Sequence, residues 1–82
     1  MNPQRLVHLA NSIGDFFAAM PDADEARSGI ATHIRKFWDP RMRREIYGHI
    51  DLRRAEGLTP LVLQALQEHR GELAPIETSP TS

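Results

Sequence analysis

Three prolines, Pro3, Pro40 and Pro60, each follow a residue whose side chain can cap a helix: Asn2, Asp39 and Thr59. Proline lacks an N–H and disfavours helical backbone in the residue before it, so it opens helices and rarely lies inside them. Each pair therefore marks a helix start. Pro21 and Asp22 add a fourth boundary, because Asp22 with Glu25 three residues later makes a capping-box-like start. A chain of 82 residues cut in this way can hold about four short helices and no long one.

The apolar residues between the boundaries have helical spacing. Leu6, Leu9, Ala10, Ile13, Phe16, Phe17 and Met20 recur at three and four residues, which predicts a helix from Pro3 to about Ala19. The second segment offers Ala26, Ile30, His33/Ile34 and Phe37/Trp38 as its buried stripe. The third carries Met42, Ile46 and Ile50 and should end near Gly57. In the fourth, Leu61, Val62, Ala65 and Leu66 form a short apolar face, and Leu58 can pack on Leu63 as a hydrophobic staple. No internal repeat and no useful length of β-type alternation occurs. The expected fold is all-α, a small bundle of about four helices over residues 1–70, and "GELAPIETSPTS" from Gly71 to Ser82 reads as a disordered tail with little to bury.

Such a domain buries about 60% of its unfolded surface and rarely holds more than about 3–5 kcal/mol of stability without a staple, metal or partner. There is no cysteine, hence no disulfide and no thiolate site. Association is the expected remedy, including self-association of the isolated chain. The sequence lacks a secretory leader pattern and an apolar run of membrane-spanning length, so a cytoplasmic protein without a membrane partner is expected.

Charge is unevenly distributed. The formal net charge is −1, yet residues 35–54 hold seven of the ten basic residues, against Asp39, Glu45 and Asp51 alone. Arg35 and Lys36 close the second helix, where its dipole favours cations. Arg41, Arg43 and Arg44 stand in the first turn of the third helix, where the dipole opposes them by about 0.3–1 kcal/mol each. A stretch that breaks its own local rule is where function is sought. Arg43, Tyr47 and Arg54 fall along one flank of that helix at 100° per residue, so the corner is a candidate surface for an acidic partner or a phosphate-bearing ligand. The alternative is a solvated face offset by the three acids.

"LVHLANSIGDFF" (6–17), "GIATHIRKFWDPRMR" (29–43) and "GLTPLVLQAL" (57–66) together resemble the delta subunit of NAD-dependent, molybdenum-containing formate dehydrogenases. The resemblance covers roughly residues 5–67, and its central block is the specific part. It implies a non-catalytic, cytoplasmic accessory subunit aiding assembly, cofactor insertion or stability of the complex by docking on the catalytic alpha subunit. That complex would carry bis-molybdopterin guanine dinucleotide, iron–sulfur clusters and FMN, with no cofactor on the delta chain itself. By motif, the residues that matter are His33, Arg35, Lys36, Phe37, Trp38, Pro40, Arg41 and Met42. A second reading gives the same corner a guanine nucleotide or the molybdenum cofactor as ligand.

Other function classes find little support. His8, His33, His49 and His69 are scattered and form no i, i+4 pair, so no metal site is expected. Ser12 and Ser28 lie in no nucleophile motif, and the glycines form no phosphate loop, so catalysis by this chain alone is not expected. A helix-turn-helix reading fails on the burial of Met42, Ile46 and Ile50, on the slight net acidity and on a bend without glycine, so nucleic acid is not an expected partner.

Overall fold

A computed structural model describes residues 2–75. Five helices follow in order: α1 (Pro3–Phe17), α2 (Ala23–Phe37), α3 (Pro40–Arg53), α4 (Pro60–Glu68) and α5 (Arg70–Leu73). No strand occurs among the described residues, in agreement with the all-α expectation. Each expected cap forms. The Asn2 and Asp22 side chains accept from the N–H groups of Gln4 and Asp24, both at 2.8 Å, and Asp39 Oδ1 accepts from Met42 N–H at 2.9 Å. Thr59 Oγ1 accepts from Val62 N–H at 3.5 Å, a weak bond. These caps fix where the chain bends, and the apolar stripes then close the core.

Leu6, Ile30, Ile34, Ile46, Val62, Leu66 and Leu73 are fully buried at its centre. α1 packs on α2, α3 and α4, and α2 packs on α4 and α5. Gly14 permits the α1–α4 approach, because a β-carbon there would overlap Val62 Cγ2. Arg27 joins α2 to α4 through an ion pair between its Nε and Glu68 Oε2 at 2.9 Å, while its Nη2 bonds Asp24.

Three features depart from the sequence reading. The third helix ends at Arg53, not near Gly57. Arg54 and Ala55 take left-handed backbone with φ of 55° and 60°, and Gly57 follows at 88°. Left-handed residues other than glycine cost about 1–2 kcal/mol each, so contacts from elsewhere must hold this turn. Asn11 of α1 supplies two of them, donating from Nδ2 to the Gly57 carbonyl (2.9 Å) and accepting from Thr59 N–H (3.0 Å). His49 Nε2 lies 2.7 Å from the Glu56 carbonyl as a third.

Second, helical structure continues past residue 70 into the stretch expected to have little to bury. Arg70–Leu73 adds a helical turn, and Leu73 is completely buried. The stretch contributes a single large apolar group, which the core takes up. The rest of the expected tail, residues 76–82, lies outside the described residues. Third, the aromatics that share the expected stripes separate. Trp38 is buried, whereas Phe16 and Phe37 are 76% and 70% exposed and Met20 is also exposed.

Candidate functional site

The bend between α2 and α3 is built by one residue that leaves the helix and one that starts the next. Trp38 has φ −93° and ψ 134°, so its ring is turned by extended backbone into the core, while its N–H still donates to the Ile34 carbonyl at 2.9 Å. Asp39 then caps α3. The inward Trp38 fixes this bend. Phe37, one residue earlier, is left outside, its ring 4.7 Å from that of half-buried His33.

The candidate residues divide sharply. Arg35, Lys36, Arg41 and Arg44 are exposed around the bend. Arg43 is half-buried and turned inward, its Nη1 donating to the Leu73 carbonyl at 3.1 Å. Tyr47 is 3% exposed, and its hydroxyl donates to the Leu66 carbonyl at 2.6 Å. Arg54 sits in the left-handed turn at the far end of α3. The Arg43–Tyr47–Arg54 flank expected to face an anion is therefore no continuous surface. Two of its members tie α3 to α4 and α5, and the third belongs to a different end of the molecule.

That internal tie has its own electrostatics. Arg70 forms a two-pronged pair with Asp51, Nη1–Oδ1 2.9 Å and Nη2–Oδ2 2.6 Å, and its guanidinium lies 4.9 Å from the centre of the Tyr47 ring. Hydrogen bonding from Arg70 holds the Asp51 carboxyl below its usual range. Burial raises the Tyr47 phenol above its ordinary value of 10.0, with Arg70 and Arg43 opposing the shift. A raised folded value means that the neutral phenol stabilises the fold below pH 10, and that this contribution is lost as pH rises further. Tyr47→Phe should lower stability by about 1–2 kcal/mol at pH 7, since the Leu66 carbonyl loses a buried donor. The variant should also lose part of the alkaline sensitivity of the native domain above pH 10, read from urea melts at stepped pH.

Two concave regions lie apart from Arg41, Arg43 and Arg44. One, about 870 Å³, runs between the start of α1 and the end of α3 along Pro3, Val7, Gly48, His49 and Leu52. The other, about 360 Å³, follows α2 between Phe17 and Phe37 over Gly29, Thr32, His33 and Lys36. Among the described residues no group of three or more His, Asp or Glu side chains is placed to hold a metal ion, and no helix is long and apolar enough to cross a membrane.

The family model described as "NADH-dependant formate dehydrogenase delta subunit FdsD" matches residues 5–66. The chain belongs to the FdsD family. The match covers most of α1, all of α2 and α3 and most of α4, including the whole bend with its exposed cations and Phe37. Neither a curated protein nor a solved structure matches the chain.

Periodicity placed Ile30, Ile34, Ile46 and Leu66 correctly in the core, but it overlooked Asn11 and Leu52 and misplaced Phe16. Asn11 appears in the sequence as one more polar residue of a helix, and only the fold brings it to the Gly57 turn. Phe16 looked like a core residue, although its position near the end of α1 offered a warning, because little chain remains there to cover it. Leu52, 84% exposed on the rim of the larger cleft, lies off the Met42/Ile46/Ile50 stripe and could have been singled out on that ground.

Proposed function

We propose that this chain is a non-catalytic accessory subunit of a cytoplasmic formate dehydrogenase and that it docks on the catalytic subunit through the α2–α3 bend. The observation that carries this reading is the exposure of Phe37 in a rim of exposed cations, Arg35, Lys36, Arg41 and Arg44. Aromatic and arginine side chains are the groups enriched at protein interfaces, and a large aromatic held out in water is disfavoured unless something covers it. The partner surface is then acidic with an apolar recess. Arg41 and Arg44 also have no role in the core that would explain cations at the positive end of α3.

Docking gives a small domain the extra buried surface it lacks, and so couples the subunit's own stability to that of the complex. Assembly, cofactor insertion and stabilisation of the catalytic subunit are the roles open to a chain that binds in this way. A guanine nucleotide or molybdenum cofactor at the corner has less support, because Arg43 and Tyr47, two of the three residues of the flank envisaged for an anion, bond within the fold.

The test is co-purification of tagged chain with the dehydrogenase subunits from cells producing both. Native protein should recover the molybdenum- and iron–sulfur-containing subunit at moderate and high salt. Arg41→Glu/Arg44→Glu should reduce recovery about tenfold while leaving the helical circular dichroism unchanged. Undiminished recovery with that variant would remove the bend as the docking surface.

A further inference from the structure

The outer face of α2 has charges of both signs, one at each end. Glu25, Gly29, Thr32 and Lys36 lie along it at spacings of four, three and four residues, a stripe on one side of a helix. Ser28 and Thr32 are small and exposed, and Gly29 between them is half-buried under the Phe17 ring. Its ends are opposite in charge, Asp24 and Glu25 in the first turn and Arg35 and Lys36 in the last. Alongside runs the 360 Å³ groove with Phe17 and Phe37 as walls.

We infer that a second copy of this chain covers that face, the two α2 helices packing antiparallel about a two-fold axis beside residues 30 and 31. The spacing four, three, four reads the same in both directions, so inversion brings Glu25 opposite the second copy's Lys36, and Gly29 opposite its Thr32. A two-fold interface requires this self-complementarity. A partner of uniform charge would meet repulsion at one end of α2, whereas an inverted copy meets attraction at both. The Phe17 ring lies where a side chain on Gly29 would stand, so the second copy's small Thr32 meets that ring, and the pairing covers the phenylalanine walls of the groove.

Lys36 and Phe37 belong both to this face and to the bend. The paired form and the docked form are therefore alternatives, so that self-association sets aside free subunit until its partner is present. This consequence rests on the docking proposal; the pairing itself does not.

Sedimentation equilibrium of the isolated full chain, from micromolar to near-millimolar concentration, tests it without any dehydrogenase present. The expected mass rises toward twice the 9.3 kDa of the chain. Glu25→Lys and Lys36→Glu should each weaken pairing about tenfold by setting like charges opposite one another, and the double exchange should restore it. Thr32→Arg, an exposed change that leaves the core intact, should abolish pairing by filling its centre. A monomer at every concentration, a dimer indifferent to Thr32→Arg, or a double exchange that fails to recover would each overturn the proposal.

Discussion

Trp38→Ala should leave the domain without a cooperative thermal transition at neutral pH, while Phe37→Ala should shift its stability by less than about 0.5 kcal/mol. The two residues are adjacent and both aromatic, but Trp38 is 6% exposed and Phe37 70%. Truncating a buried aromatic to alanine costs about 3–5 kcal/mol. That equals the whole stability to be expected of a domain of this size, so the folded population falls to a minority. Phe37 has little packing to lose, and exposed substitutions usually stay within about 0.5 kcal/mol. Circular dichroism melts separate these outcomes. If docking uses Phe37, Phe37→Ala should instead lower co-purification with the dehydrogenase, a loss of binding in a protein that melts normally.

The contrast explains what could be read in advance. Helix starts were legible because the cap and the N–H groups it satisfies lie within three residues of each other, as at Asp39 and Met42. The buried stripes of α2 and α4 were legible for a similar reason, since a helix presents one face and Ile30 and Ile34 must share it. At Phe37 and Trp38 that logic stops. Trp38 has already left the helix with ψ 134°, and the bend decides where its ring goes. The arginines failed for a different reason. Nothing near Arg43 or Tyr47 in the sequence announces the Leu73 and Leu66 carbonyls, which lie 30 and 19 residues away. The corner therefore looked like one cationic surface, although Arg43 turns inward and Arg54 lies at the far end of α3, which leaves Arg35, Lys36, Arg41 and Arg44 exposed around the bend. Residues 54 to 57 were opaque as well, because left-handed backbone at Arg54 and Ala55 runs against local preference and is held by contacts such as those of Asn11.

Leu73→Ala should destabilise the domain by about 2–5 kcal/mol, as large an effect as deletion of a leucine from the middle of a long helix. Leu73 lies in a single helical turn within a polar stretch, so sequence composition gives no hint of this, but its side chain is completely enclosed by the core. Glu72→Ala, at an exposed neighbour, should be nearly silent. Ending the chain after Arg70 is the stronger perturbation. It removes the leucine and also the carbonyl that accepts from Arg43, whereas Leu73→Ala keeps that carbonyl in place. A half-buried guanidinium deprived of its acceptor costs roughly 1–3 kcal/mol more. Denaturant titrations should therefore rank the proteins as native, then Leu73→Ala, then the chain ending at Arg70. An equal loss in the last two would mean that the Arg43 bond contributes nothing, and the guanidinium would then be free to join the exposed cations of the bend.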